Sequence, residues 1–440
     1  VKVEKRQAAF ADTGRERCMN GKLPTRFVLI FLLFLLSTIA YLDRTNISIA
    51  GVRIGAVYHL DNIHLGWIFS AFLLGYAAFQ IPAGWLALKL GPRLLLALGL
   101  TWWSVFSVLT ASIPVNAANA VLLLFMVRIG LGAGESVMYP AGNQLIARWI
   151  PLQERGKANG WVFAGVGAGA GITPPIITAL MIHYSWQAAF WFCAAIGLVG
   201  AVVWYVLVRD RPEEHPSVSA AELAYIRSGL AVDLQKVRPP VPWRRIFTSR
   251  NVWCITLSYF AFGYVLWIFL SWFFIYLTQA RGLNLASSAL YTVLPFLAMT
   301  VGCLLGGVVN DRLIRKHPLF WGRCGLGIVS ALLTALFLVV GSHAENATIA
   351  SIVLASGAGA LYLSQSSFWS ATTDFAGIHT GVVSGVMNMG CQIGGALTAS
   401  LTPWIAAHFG WNAAFLAAAI LSVIGAMSWF FVDPNKPLTQ

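Results

Sequence analysis

Charge is what this chain has least of: Asp, Glu, Lys and Arg together make up 10% of its 440 residues. A water-soluble fold of that length needs far more polar surface, so a soluble globular protein is excluded. Short segments of two-residue alternation are missing as well, which excludes a transmembrane barrel. The six cysteines, at 18, 193, 254, 303, 324 and 391, show no metal-ligand or disulfide spacing. They read as small core residues. No Walker loop, zinc spacing or nucleophile elbow occurs, so no enzymatic activity, metal or cofactor is expected. The glycine series Gly165, Gly167, Gly169 and Gly171 lies in an apolar span with no strand before it. It reads as helix packing rather than a nucleotide loop.

What is present is apolar length. The chain is 58% hydrophobic with a mean hydropathy of +0.73, and its apolar runs are long enough to cross a bilayer as helices. The expected fold is an all-α integral membrane protein of twelve spans. They fall near 26–50, 64–88, 93–113, 117–143, 157–182 and 186–208, then 251–278, 285–310, 319–341, 346–371, 381–407 and 411–431. A polar, basic tail (1–25) precedes them, a polar loop (209–250) divides them into halves 26–208 and 251–431, and a short tail (432–440) follows. The first span begins too late and runs too long for a cleaved signal peptide. Within the central loop, Ser219 to Glu222 reads as a capping box opening a short surface helix.

The net charge of +13 would suit a nucleic-acid partner, but its distribution suits membrane orientation. Basic residues gather in the tail, the central loop and alternate connections: Lys89 and Arg93, then Arg148, Arg155 and Lys157, then Arg312, Arg315 and Lys316. The opposite connections hold almost none, Arg281 and Arg53 excepted. Both termini and the central loop are therefore expected on the cytoplasmic side.

The halves repeat. His183-Tyr-Ser-Trp186 and Ala188-Ala-Phe190 return as His408-Phe-Gly-Trp411 and Ala413-Ala-Phe415, an offset of 225, and Gly156 and Gly160 return as Gly381 and Gly385 at the same offset. Gly84 to Lys89 corresponds to Gly307 to Arg312 at 223. Two parallel six-helix repeats place a substrate site near the midplane between them.

Within this apolar background Arg128 and Glu135 share one helix face in the fourth span, roughly 10 Å apart along the axis. A charge at the bilayer centre costs about 3 kcal/mol, so such residues face a cavity or a partner. Two readings stand: an ion pair that ties helices together, or a site for an anion and a proton. In the first span Asp43 and Arg44 point about 100° apart.

These features resemble the major facilitator superfamily over residues 26–431. Gly307, Asp311, Arg312, Arg315 and Lys316 resemble its signature loop, whose aspartate is replaced by Leu88 in the first-half copy beside Lys89 and Arg93. Tyr41-Leu-Asp43-Arg44-Thr-Asn46, the Arg128, Glu135, Pro140 series and Trp149 with Glu154-Arg155-Gly156 resemble the anion:cation symporter branch. That branch includes bacterial galactonate and hexuronate proton symporters and animal sialin and vesicular glutamate-type carriers.

The resemblance implies secondary active transport of an organic anion, most simply a sugar acid, with H⁺ as coupling ion. Asp43 and Glu135 are the expected proton carriers, since burial favours a neutral acid and a neighbouring arginine favours its carboxylate. Arg44 is the expected direct ligand of the anion and Arg128 the residue that tunes Glu135; a planar guanidinium matches a carboxylate. Tyr41, Tyr76, Gln80 and Tyr139 are further candidates, with Tyr264, Ser364, Gln365, Ser366, Asn388 and Gln392 as neutral partners for hydroxyls from the second half. Asp311, Arg312, Lys89 and Arg93 are the expected gating residues. A monomer in the plasma membrane (the inner membrane if bacterial) is expected, with lipid, protons and the anion as partners and no nucleic acid. The alternatives are a monocarboxylate or other organic-acid facilitator or exchanger, and a membrane anion sensor that moves nothing.

Overall fold

A computed structural model describes residues 23–60, 62–117, 119–230, 240–273 and 276–438. Residues 1–22 of the tail expected at 1–25, Cys18 among them, and 231–239 of the central loop lie outside the described residues. The described chain is helical throughout, without strands. Ten stretches of it are long and apolar enough to cross a membrane, one of them the composite Ala347–Ala399.

The first helices are α1 (Thr25–Val57), α2 (Asn62–Leu90) and α3 (Pro92–Ser112). The fourth expected span is broken into α4 (Ala120–Glu135) and α5 (Met138–Trp149). Pro140 lies in the first turn of α5, where its missing amide hydrogen bond is tolerated because that amide is unpaired in any helix start. Then come α6 (Arg155–His183) and α7 (Trp186–Leu207). The central loop carries α8 (Ala220–Ser228) and α9 (Trp243–Thr248), and α10 (Arg250–Trp267) continues into π-helical turns at Ile268–Trp272 and Tyr276–Ala280. There follow α11 (Leu285–Lys316), α12 (Leu326–His343), α13 (Ala347–Leu363), α14 (Gln365–Ala376), α15 (Thr380–Phe409) and α16 (Trp411–Trp429). The break between α13 and α14 falls at Ser364, so the tenth expected span is interrupted close to the place where the fourth is.

Two packings repeat across the chain. Helix α1 lies along α6 and α10 along α15, while α6 packs on α11 and α2 on α15. Glycines make these approaches possible, because a methyl group on Gly165 or Gly169 would strike α1 and one on Gly160 would strike α11. The glycine series of α6 is therefore a two-sided packing surface, as small residues on membrane helices usually are.

The ends of the spans are tied by identifiable groups. Ser219 accepts from the Glu222 amide (3.1 Å) and opens α8. The Glu222 carboxylate serves α1 instead of its own cap, accepting from the amides of Thr25 and Arg26 at 3.1 Å each. Arg26 bridges Glu222 and Glu154, and Tyr225 donates to Glu154 (2.9 Å). Burial and that carboxylate push the Tyr225 hydroxyl up to about 12, so it remains a donor at any working pH. Asn346 caps α13 through the amides of Thr348 and Ile349. The tail after α16 docks, with Asp433 and Asn251 exchanging two hydrogen bonds and the Leu438 amide donating to Phe375.

Candidate substrate and proton site

The charged core is assembled from α1, α2 and α4. Arg44 donates from Nε to Glu135 Oε2 at 2.5 Å, and both side chains are more than nine-tenths buried. The guanidinium sits among rings, its Cζ 4.4 Å from the centroid of Tyr76 and 4.8 Å from that of Tyr41. Such ring faces attract a cation and replace part of its hydration. Arg44 Nη2 and Glu135 Oε1 have no hydrogen-bond partner among the described residues.

Glu135 therefore pairs with Arg44 rather than Arg128. A seven-residue step along α4 sets Arg128 too far down the axis to reach Glu135, whereas α1 crosses beside it. Arg128 lies with its Cζ 5.1 Å from the Phe72 ring, and its Nε and Nη1 have no hydrogen-bond partner among the described residues. Asp43 points away from the Arg44 and Glu135 pair toward α3, accepting from the Ser107 hydroxyl at 2.8 Å, and its Oδ2 has no hydrogen-bond partner among the described residues.

A narrow cavity opens on Arg44. Tyr41 and Tyr139 line it from the first helices, Gln365, Asn388, Cys391 and Gln392 from the last, and Phe163, Tyr259, Phe262, Trp267 and Tyr362 make an aromatic wall that Val166 and Leu266 complete. Asn388 and Gln392 share a face because they are four residues apart on α15. Asn388 Nδ2 also donates to Gln80 Oε1 (3.1 Å), joining α15 to α2. Tyr76 and Gln80 are fully buried beside this layer, and the Tyr76 hydroxyl and Gln80 Nε2 have no hydrogen-bond partner among the described residues.

Several expected site residues lie elsewhere. Ser366 is buried but does not line the cavity; it faces the Gly160 region of α6. Its neighbour Gln365 takes the cavity position, since one residue turns a helix by about 100°. Tyr264 and Ser364 also lie off the wall, Tyr264 with its hydroxyl near Thr402 (3.4 Å) and Ser364 bonded back to Leu361. The aromatic wall was missed because a ring in a membrane helix carries no sequence mark that separates lining from packing. Tyr259 is distinguished only by its partners in the fold, since its hydroxyl accepts from Gln365 and Trp369.

At the end bearing the basic connections a second buried network joins early helices to late ones. Asp311 accepts from the amides of Gly156 (2.9 Å) and Lys157 (2.8 Å). Asp374 takes Arg155 on one oxygen (2.8 Å) and Arg323 on the other (2.7 Å). Arg323 also reaches Asn310, and its Nη1 is 3.9 Å from Asp311. Arg312 is exposed beside Asp311, and Arg93 spends its amide on Asp210 and its Nε on the Tyr205 carbonyl. Arg93 thus ties α3 to α7 and to the start of the central loop. Lys89 lies 3.9 Å from the Trp85 ring.

A bundle of long apolar helices with an arginine-bearing cavity between its early and late members is the architecture of a secondary transporter. Residues 33–399 match the Major Facilitator Superfamily, and the chain belongs to it. It is 32% identical to the probable sulfoacetate transporter SauU of Cupriavidus necator, over 94% of this chain and 96% of that one. It is 29% identical to the probable L-galactonate transporter of Escherichia coli, covering 92% of this chain and 90% of the relative. Its fold resembles that of the proton:xylose symporter XylE with a TM-score of 0.75 at 17% identity, over 94% of this chain and 98% of that one. The protein is an integral membrane transporter of the plasma or inner membrane rather than an enzyme.

Proposed function

We propose that this protein carries a small organic anion, a sugar acid or a comparable short acid, together with protons by alternating access. The two halves are 26–208 and 251–431, with twelve spans in all and both termini and residues 209–250 on the cytoplasmic side. The Asp311 and Asp374 networks lie at that side, so the described conformation is the one closed to the cytoplasm. The observation that carries the reading is the contact of Arg44 with Glu135 at the edge of the cavity. An incoming carboxylate or sulfonate competes with Glu135 for the same fork. Protonating Glu135 releases Arg44 to the substrate; ionising it draws Arg44 back and expels the anion. Asp43, near Arg128 but turned to Ser107, is the second proton carrier. Gln80, Asn388, Gln392 and Gln365 address the rest of the substrate, and Asp311 is the cytoplasmic gate. The relatives named for sulfoacetate and L-galactonate carry anions, which supports the class.

The test is uptake of radiolabelled galactonate and sulfoacetate into proteoliposomes under an imposed pH gradient, acidic outside. Accumulation above equilibrium that collapses with a protonophore supports symport. Equilibration of the label without accumulation means a facilitator, and no entry of either acid with demonstrable binding means a sensor.

A further inference from the structure

The two copies of the signature loop rest on the same backbone contact. Gly307 lies against Gly156 and Lys157, and Gly84 lies against Gly381 and Val382, so closely that a methyl group on either glycine would meet backbone. Four residues beyond Gly307, Asp311 accepts the amides of Gly156 and Lys157 in the first turn of α6. Four residues beyond Gly84 stands Leu88, buried and without a polar side-chain atom. The first turn of α15 therefore lacks the carboxylate that its repeat partner has. Gln144 of α5 supplies the missing acceptor: its Oε1 takes the Gly381 amide at 2.7 Å, and its Nε2 donates to the Ile378 carbonyl at 3.2 Å. The side chain is 1% exposed. Beside it, Asn143 accepts from Thr373 (3.1 Å).

We propose that Gln144 is the first-half gating residue, a neutral substitute for the aspartate absent at Leu88. It holds α15 against α5 while the cytoplasmic end is closed and releases it when that end opens. The proposal rests on the alternating-access reading but needs neither a substrate nor proton coupling. An uncharged amide makes a weaker bond than a carboxylate does, so this is the looser of the two latches, and it does not titrate.

Hydrogen–deuterium exchange on the purified full chain in nanodiscs tests it, without substrate or pH gradient. A residue that only caps α15 would, on Gln144→Leu, quicken exchange in the segment 380–386 alone. A gate must also quicken the segment 155–160, because the Asp311 bonds part when the halves separate as bodies. The expected result is several-fold faster exchange in both segments, returned toward the unmodified rate when Leu88→Asp is added. Gln144→Glu keeps the acceptor for Gly381 at the same size and is expected to leave both segments protected; it is the variant to use if Gln144→Leu does not fold. Unchanged exchange in Gln144→Leu, or a change confined to 380–386, overturns the proposal. So does a double variant that melts like the unmodified protein yet still exchanges fast, or fast exchange in Gln144→Glu. Uptake measurements on the unmodified protein decide the anion and proton question separately.

Discussion

At the scale of single residues the proposed chemistry turns on one arginine with two claimants. Glu135→Gln keeps a side chain of the same size but cannot hold a proton reversibly. Proton-driven accumulation is expected to disappear while exchange of labelled for unlabelled substrate persists, which counterflow in proteoliposomes measures directly. Asp43→Asn is expected to lose accumulation too, with substrate affinity nearly unchanged, because Asp43 faces Ser107 rather than the cavity. Arg44→Lys keeps the charge and loses the fork. Affinity for the anion is expected to fall by about 2 kcal/mol, the scale of a charge-assisted hydrogen bond, in calorimetry or competition binding. If Arg128→Lys weakens binding and Arg44→Lys does not, the two arginines have exchanged roles. All four charges could be read from the sequence, since they stand two by two inside otherwise apolar spans. Their pairing could not, because it depends on where α1 crosses α4, and no spacing within one helix reports a crossing.

Among helices and loops, the signature stretch makes the clearest expectation. Asp311 accepts two backbone amides from the start of α6, while Leu88 accepts none. Asp311→Asn is expected to slow transport several-fold, and Leu88→Asn to leave initial uptake rates near those of the unmodified protein. Equal tolerance of both would remove Asp311 from the gate. Most helix ends were legible to within a few residues from apolar length, although ten stretches among the described residues, against twelve expected spans, are long and apolar enough to cross a membrane, and the repeated Gly156 and Gly381 marked the two helix starts that face a partner. Helix breaks at Ser136 and Ser364 were not, because an apolar run reads the same whether its helix is continuous or jointed. Arg323 and Asp374 also escaped notice; they lie at the ends of spans, where charge is ordinary, and only the packing shows that both are buried. The acidic half of the Ser219 to Glu222 motif went to another helix for a related reason. A carboxylate near a helix start serves whichever amides the fold brings to it.

For the molecule as a whole, the proposed cycle, in which both buried acids carry protons, sets what transport would do to the membrane potential. Asp43, Arg44, Arg128 and Glu135 sum to zero when both acids are ionised. With both protonated, two positive charges remain, and one monoanion in the cavity leaves a net +1. Carrying that charge through the bilayer is worth roughly 2.3 kcal/mol per 100 mV, so an inside-negative membrane drives uptake. Transport of a singly charged sugar acid is therefore expected to be electrogenic, with positive charge moving inward. A dianion on the same stoichiometry moves no net charge, and sulfoacetate, with two acidic groups, is the natural comparison. The measurement is current on a solid-supported membrane carrying the reconstituted protein, with uptake of each acid confirmed separately. Steady inward current with galactonate and none with sulfoacetate fits two protons per cycle. Uptake of galactonate without current would leave two readings standing: anion exchange, or a cycle in which only one of the two acids releases its proton, the Arg44-linked Glu135 being the one placed to do so.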